Sequence, residues 1–223
     1  MTFEEYFKEW NNVIDKTELY KVTNKLSEYY KRNLICPKQK DVFKAFELCS
    51  YKDVKIVFIG QDPYPQKDVA TGILFGNKKG TINLSPSLEM IKEAVINYEI
   101  PHGPIDFDIT LESWAEQGIL MLNSALTCEM NKTGSHTMLW RPFISKLLCN
   151  LSNSSPGLLY VLFGDQAQTF EPYINKRINT ILKVHHPAYY ARTHSKIPSD
   201  LFIRINEFIR YNYNTSICWY REL

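Results

Sequence analysis

Long apolar runs, paired cysteines and blocks of like charge are all missing from this chain of 223 residues. No run nears the roughly 20 consecutive apolar residues that a membrane-spanning helix needs, so no membrane partner is expected. The five cysteines, Cys36, Cys49, Cys128, Cys149 and Cys218, are odd in number and none sits in a C-x-x-C pair. That argues against a disulfide framework or a cysteine zinc site and points to a reducing compartment. The opening MTFEEYFKEW is acidic and amphipathic, unlike a secretory signal. The expected location is therefore intracellular: a bacterial cytoplasm, or a nucleus or viral replication site in another host. The net charge is only +2, which permits a basic face without demanding a nucleic-acid partner. Repeats, low-complexity tracts and linkers are absent too. The simplest organisation is one domain over residues 1–223, with residues 1–50 as its helical N-terminal part.

What is present is a full core: 44% of the residues are apolar. Thr2 and Glu5 have capping-box spacing, and Phe3, Tyr6, Phe7, Trp10, Val13 and Ile14 follow at helical intervals. Further helices are expected around 20–33 and 40–50. Four short apolar runs come next, VKIVFIG (54–60), GILMLN (118–123), LLYVLFG (158–164) and TILKVHHP (180–187). Helical segments lie between them. One is SPSLEMIKEAVINY, with Ser85 as N-cap and Pro86 in its first turn. A last helix, SDLFIRINEFIR, follows Pro198. Strands alternating with helices imply right-handed crossovers. The expected fold is α/β: a central four-stranded, mostly parallel sheet flanked by helices on both faces.

In such sheets the working groups gather beyond the carboxyl ends of the strands. Here those ends read GQDPYP, LNSALT, FGDQAQ and HHPAYY, which places Gln61, Asp62, Tyr64, Asn123 and His186 around one crevice. Asp62 and Tyr64 each precede a proline, so their loop is stiff. Asn123 offers one acceptor and two donors, enough to read an imide-like edge, or merely to close a turn. His186 can donate to a developing oxyanion as a neutral or a protonated ring, or be structural. His185 is in the opposite phase on the strand. Phe75 is either core or a platform for a flat ligand. Ser87 either faces a phosphate or belongs to the helix start.

The segments GQDPYP…ATGILFG, PSLEMIKE, WAEQGILMLNSALT, SHTMLW, LFGDQAQ, HHPAYY and the tail ICWYREL together closely resemble the motifs of the family 1 uracil-DNA glycosylases, in the family's order. The resemblance runs from about residue 54 to the C-terminus. It implies that the chain flips deoxyuridine out of single- or double-stranded DNA and hydrolyses its N-glycosidic bond in base-excision repair. It implies no metal and no cofactor. By motif position, Asp62 resembles the carboxylate that orients the attacking water, and His186 the donor to uracil O2. Asn123 resembles the amide that reads N3–H and O4, Phe75 the stacking floor, and Gln61 a backbone contact to the pyrimidine. Tyr64 resembles the ring against C5, where a thymine methyl would clash. Pro86, Ser87, Gly164, Asp165, Ala188, Tyr190 and Arg192 fall in segments that the resemblance assigns to DNA contact.

Four positions depart from the family pattern. Tyr190 stands where a leucine usually fills the vacated stack, Ala188 where a serine is usual, Asp165 where a serine or other phosphate-tolerant residue is usual, and Pro65 after the tyrosine where histidine is usual. An aromatic wedge can fill the stack. Asp165 is expected to turn away and cap the following helix, and Arg192, Lys196 or His194 to supply backbone contacts. The partners so implied are uracil-containing DNA and a protein inhibitor of such enzymes, with the chain itself a monomer. The alternative from another class is a DNA-binding or replication-accessory protein on the same scaffold.

Overall fold

The structure, a computed structural model, describes residues 2–32, 34–198 and 200–223. Its centre is a sheet of four strands: β1 (Ile56–Gly60), β2 (Ile119–Asn123), β3 (Leu159–Phe163) and β4 (Thr180–Val184). The order is β2-β1-β3-β4 and every pairing is parallel. All residues of β1, β2 and β3 are buried, as near-continuous Val, Ile and Leu require of a sheet covered on both faces. At the edge, β4 leaves Thr180 and Lys183 exposed. Gly60 lies opposite Asn123, and Phe163 opposite Val184. The strands therefore end level, and their carboxyl ends form one rim.

The flanking helices carry the expected periodicity. Thr137–Ser154 buries Trp140, Phe143, Ile144, Leu147, Leu148 and Leu151, one stripe at intervals of three and four. Pro86–Tyr98 packs against Pro187–Thr193 and Leu201–Tyr213. Each fully buried side chain of this size contributes about 1.5–3 kcal/mol.

Three local expectations change. The capping box forms, with Thr2 and Glu5 bonded reciprocally, but the first helix ends at Phe7. Lys8 turns out at φ 46°, and a 3-10 stretch over Lys8–Asn12 sets the Trp10 indole to donate to the Cys49 carbonyl at 3.0 Å. The fourth strand stops at Val184, because Pro187 opens a helix in its favoured first position. The second helix runs Lys16–Lys31 from an Asp15 cap and the last Leu201–Tyr213. Asn33 and Ser199, in the expected ranges of those two helices, lie outside the described residues.

Candidate active site

The exits of β1 and β2 are stapled together. The Gln61 carbonyl accepts from Ser124 Oγ at 2.8 Å and from the Ala125 amide at 3.0 Å, and the Ser124 amide donates to the Gly60 carbonyl at 3.0 Å. The prolines that follow are held by the segment after β2: Cys128 Sγ donates to the Pro63 carbonyl at 3.4 Å, and the Asn131 amide to the Pro65 carbonyl at 2.9 Å. Fixed proline φ angles plus these anchors make the loop rigid. Asp62 is thereby held with one carboxylate oxygen on the Gly134 amide at 2.5 Å. Burial raises its pKa above the ordinary carboxylate value, and the Gly134 N–H pulls the other way.

The chain then crosses the rim. The Leu74 amide donates to the Met121 carbonyl at 3.2 Å, and the Leu74 side chain fills the space over Gly60, where a Cβ would lie 2.2 Å from its Cδ1. Next to it Phe75 adopts a left-handed backbone, φ 63°, uncommon for a bulky residue and of the sort stored at functional sites. Its buried ring meets Phe163 edge-on at 5.2 Å and His186 at 5.4 Å. The Tyr64 hydroxyl donates to the Phe75 carbonyl at 3.2 Å. Burial pushes the Tyr64 phenol up to about 12, with the Ser85 and Ser87 hydroxyls opposing.

Asn123 ends β2 at 6% exposure, and its buried Oδ1 has no hydrogen-bond partner among the described residues. A buried acceptor left open costs about 1–3 kcal/mol, so it is a place for a ligand donor. His186 caps the helix Pro187–Thr193: its Nδ1 accepts from the Ala188 amide at 3.2 Å. That bond leaves the proton of the neutral ring on Nε2. Burial, then the Arg192 charge, push the His186 pKa down to about 4. The ring is neutral at pH 7, which decides between the two protonation states left open by sequence. Gly164, at φ 85°, lets the end of β3 come close: a Cβ there would lie 2.9 Å from His186 Cβ.

Asp62, Tyr64, Phe75, Asn123 and His186 thus sit at the ends of β1, β2 and β4 and on one crossing loop. A separate groove of about 850 Å³, lined by Lys44, Asp108, Trp219 and Arg221 among others, contains none of them.

The remaining residues are placed as follows. Pro86 is exposed at the first position of its helix, Arg192 is exposed, and Ser87 is buried beside Tyr64. Asp165 does not cap: it is the second residue of the helix Gly164–Gln168, exposed, and the cap position Phe163 has no side-chain bond. The Ala188 amide is occupied by His186. Tyr190, expected as a wedge, is turned inward at 6% exposure, whereas Tyr189 is 40% exposed and stacks on His185 at 4.5 Å. The helix over Pro187–Thr193 is the reason, since its buried face takes Pro187 and Tyr190. Lys196 pairs with Glu93 at 2.8 Å. Sequence reading missed the Gly134 amide, which lies 72 residues from Asp62 and carries no side-chain signal.

Residues 46–210 match the Uracil DNA glycosylase superfamily. A uracil-DNA glycosylase of Campylobacter jejuni (strain 81-176) is 36% identical over 193 residues, covering 83% of this chain and 79% of that protein. The uracil-DNA glycosylase of Mesomycoplasma hyopneumoniae is 32% identical over 224 residues, covering 98% and 97%. Among solved structures, mimivirus uracil-DNA glycosylase superposes with a TM-score of 0.78 at 22% identity, over 97% of this chain and 91% of the other. A mimivirus UNG variant in complex with UGI gives 0.82 at 24% identity, over 96% and 86%. The chain belongs to the uracil-DNA glycosylase superfamily.

Proposed function

We propose that this chain is a uracil-DNA glycosylase that takes deoxyuridine out of the DNA stack and releases free uracil, leaving an abasic site. The observation that carries this reading is the buried, unpartnered Oδ1 of Asn123 on the same rim as Asp62 and His186. Uracil satisfies it: N3–H donates to Oδ1 while Nδ2 donates to O4. Cytosine has no proton on N3 and an amino group at C4, so both contacts fail. A site built to hydrogen-bond its substrate rejects an analogue lacking the match by as much as about 10⁴–10⁵.

The chemistry follows from the charges. As the C1′–N1 bond breaks, its electron pair moves onto uracil and positive charge develops on the sugar. His186 Nε2–H donates to O2 as that oxygen becomes negative, without needing a cationic ring. The Asp62 carboxylate, one oxygen fixed by Gly134, faces the sugar cation with the other and orients the water that attacks C1′. Phe75 lies beneath the base and Tyr64 at its C5 edge. Pro86, Ser87, Gly164, Ala188 and Arg192 follow the strand, and Tyr190 enters the stack only by leaving its packed position. UGI is the protein partner expected by relation to the mimivirus variant.

The test is release of uracil from single- and double-stranded oligonucleotides in the presence of EDTA. The parent protein releases it, and Asp62→Asn is slower by about 10²–10³-fold. DNA binding without any release favours the accessory-protein reading.

A further inference from the structure

A tyrosine wall discriminates one methyl group only if its ring cannot swing, and the Tyr64 ring is held at its tip. The hydroxyl donates to the Phe75 carbonyl at 3.2 Å, Ser85 Oγ stands 2.5 Å away, and the Ser87 hydroxyl lies beside it. Since the phenol proton goes to Phe75, Ser85 supplies the proton of the second bond. Ser85 occupies the N-cap position of the helix Pro86–Tyr98 in extended backbone, yet its side chain makes no capping bond. A serine there ordinarily accepts from the first-turn amides; this one is spent on Tyr64.

Its own position is fixed from behind. The Ser85 amide donates to Asn77 Oδ1 at 2.9 Å, Ser85 Oγ lies 3.2 Å from the same oxygen, and Asn77, wholly buried, donates its backbone amide to the Ile109 carbonyl at 2.8 Å. The left-handed backbone of Phe75 completes the device. One residue carries both the ring that forms the floor and the carbonyl that holds the wall.

We propose that Ser85 is a positioning residue for base selection: its hydroxyl, with the Phe75 carbonyl, clamps the tip of Tyr64 and so sets the clearance at C5 of the pyrimidine. The assignment rests on the uracil reading above, and the clamp itself is measurable without it. The lever is one neutral hydrogen bond, so its loss changes discrimination by roughly 2- to 12-fold.

The experiment compares the full-length parent with Ser85→Ala, Ser85→Thr, Tyr64→Phe and the Ser85→Ala/Tyr64→Phe pair. The first readout is the ratio of kcat/KM on uracil to that on 5-bromouracil in otherwise identical DNA, bromine being close to methyl in size. Ser85→Ala lowers the ratio, Ser85→Thr restores it, Tyr64→Phe lowers it too, and the double variant loses no more than the larger single effect. An unchanged ratio in Ser85→Ala, or single effects that multiply in the double variant, overturns the clamp. The second readout is the ring-flip rate of Tyr64 by NMR of ¹³C-tyrosine protein, expected to rise in Ser85→Ala and not in Ser85→Thr. A parent inert on uracil whose ring loosens in Ser85→Ala refutes the glycosylase reading and keeps the clamp. A ring unaffected by Ser85→Ala removes the clamp whatever the activity.

Discussion

Gly164→Ala tests how tightly the end of β3 constrains the donor to the leaving base. Gly164 sits at φ 85°, and an added Cβ would lie 2.9 Å from His186 Cβ. Two costs follow. An L-residue held in the left-handed region loses about 1–2 kcal/mol. The contact must also open to an ordinary van der Waals distance, which moves His186 outward by roughly half an ångström; with about 10²-fold lost per ångström of misplacement, the rate falls about tenfold. Gly80 separates the two costs: its φ is 86°, and a Cβ there meets nothing within 4 Å. Gly80→Ala therefore loses stability alone. Urea titration gives the stability term for both variants, and single-turnover uracil release gives the rate. A Gly164→Ala protein that is destabilised like Gly80→Ala but turns over at the parent rate refutes the claim that this approach positions His186.

Three further outcomes are expected. Asn123→Asp, as a carboxylate, accepts from the cytosine amino group: cytosine release appears and uracil release drops by about 5- to 150-fold, the cost of a buried polar mismatch, measured on matched oligonucleotides. The pH profile of kcat/KM has an acid limb above the ordinary carboxylate value, set by Asp62, whose pKa burial raises; because His186 titrates near 4, no inflection appears near 6.5. Stability follows His186 with the sign of a depressed pKa. The unfolded chain takes up its proton below about 6.5 and the folded one only near 4, so stability complete above 6.5 falls by on the order of 3 kcal/mol toward pH 4. In His186→Asn that part of the slope disappears from urea titrations run across the window.

Much of this protein is written in local pattern. The apolar runs of β1, β2 and β3 specify buried strands because only a sheet covered on both faces can hide every residue of each strand, and the mixed TILKV of β4 reads as its edge. Proline on either side of Tyr64 specifies a stiff loop, since proline restricts both its own φ and the residue before it. The alternation of strand and helix sends all four carboxyl ends to one rim, so Asp62, Asn123 and His186 were placed together from sequence.

Other features depend on groups that meet only after the chain has packed. Whether Ser85 caps its helix or holds Tyr64 turns on a hydroxyl 21 residues away; the dipeptide Ser-Pro reads as a cap in either case. The donor to Asp62 at Gly134 is a backbone amide, which every residue type but proline supplies. The neutral tautomer of His186 follows from its burial and the Ala188 amide, neither of which periodicity reveals. Tyr190, expected as the wedge, faces inward and Tyr189 outward because Pro187 opens a helix at the strand's end, and one step along a helix turns a side chain by about 100°. Sequence pattern encodes period and stiffness, which are short-range; orientation, protonation and clearance come from contacts between distant segments, and those exist only in the folded chain.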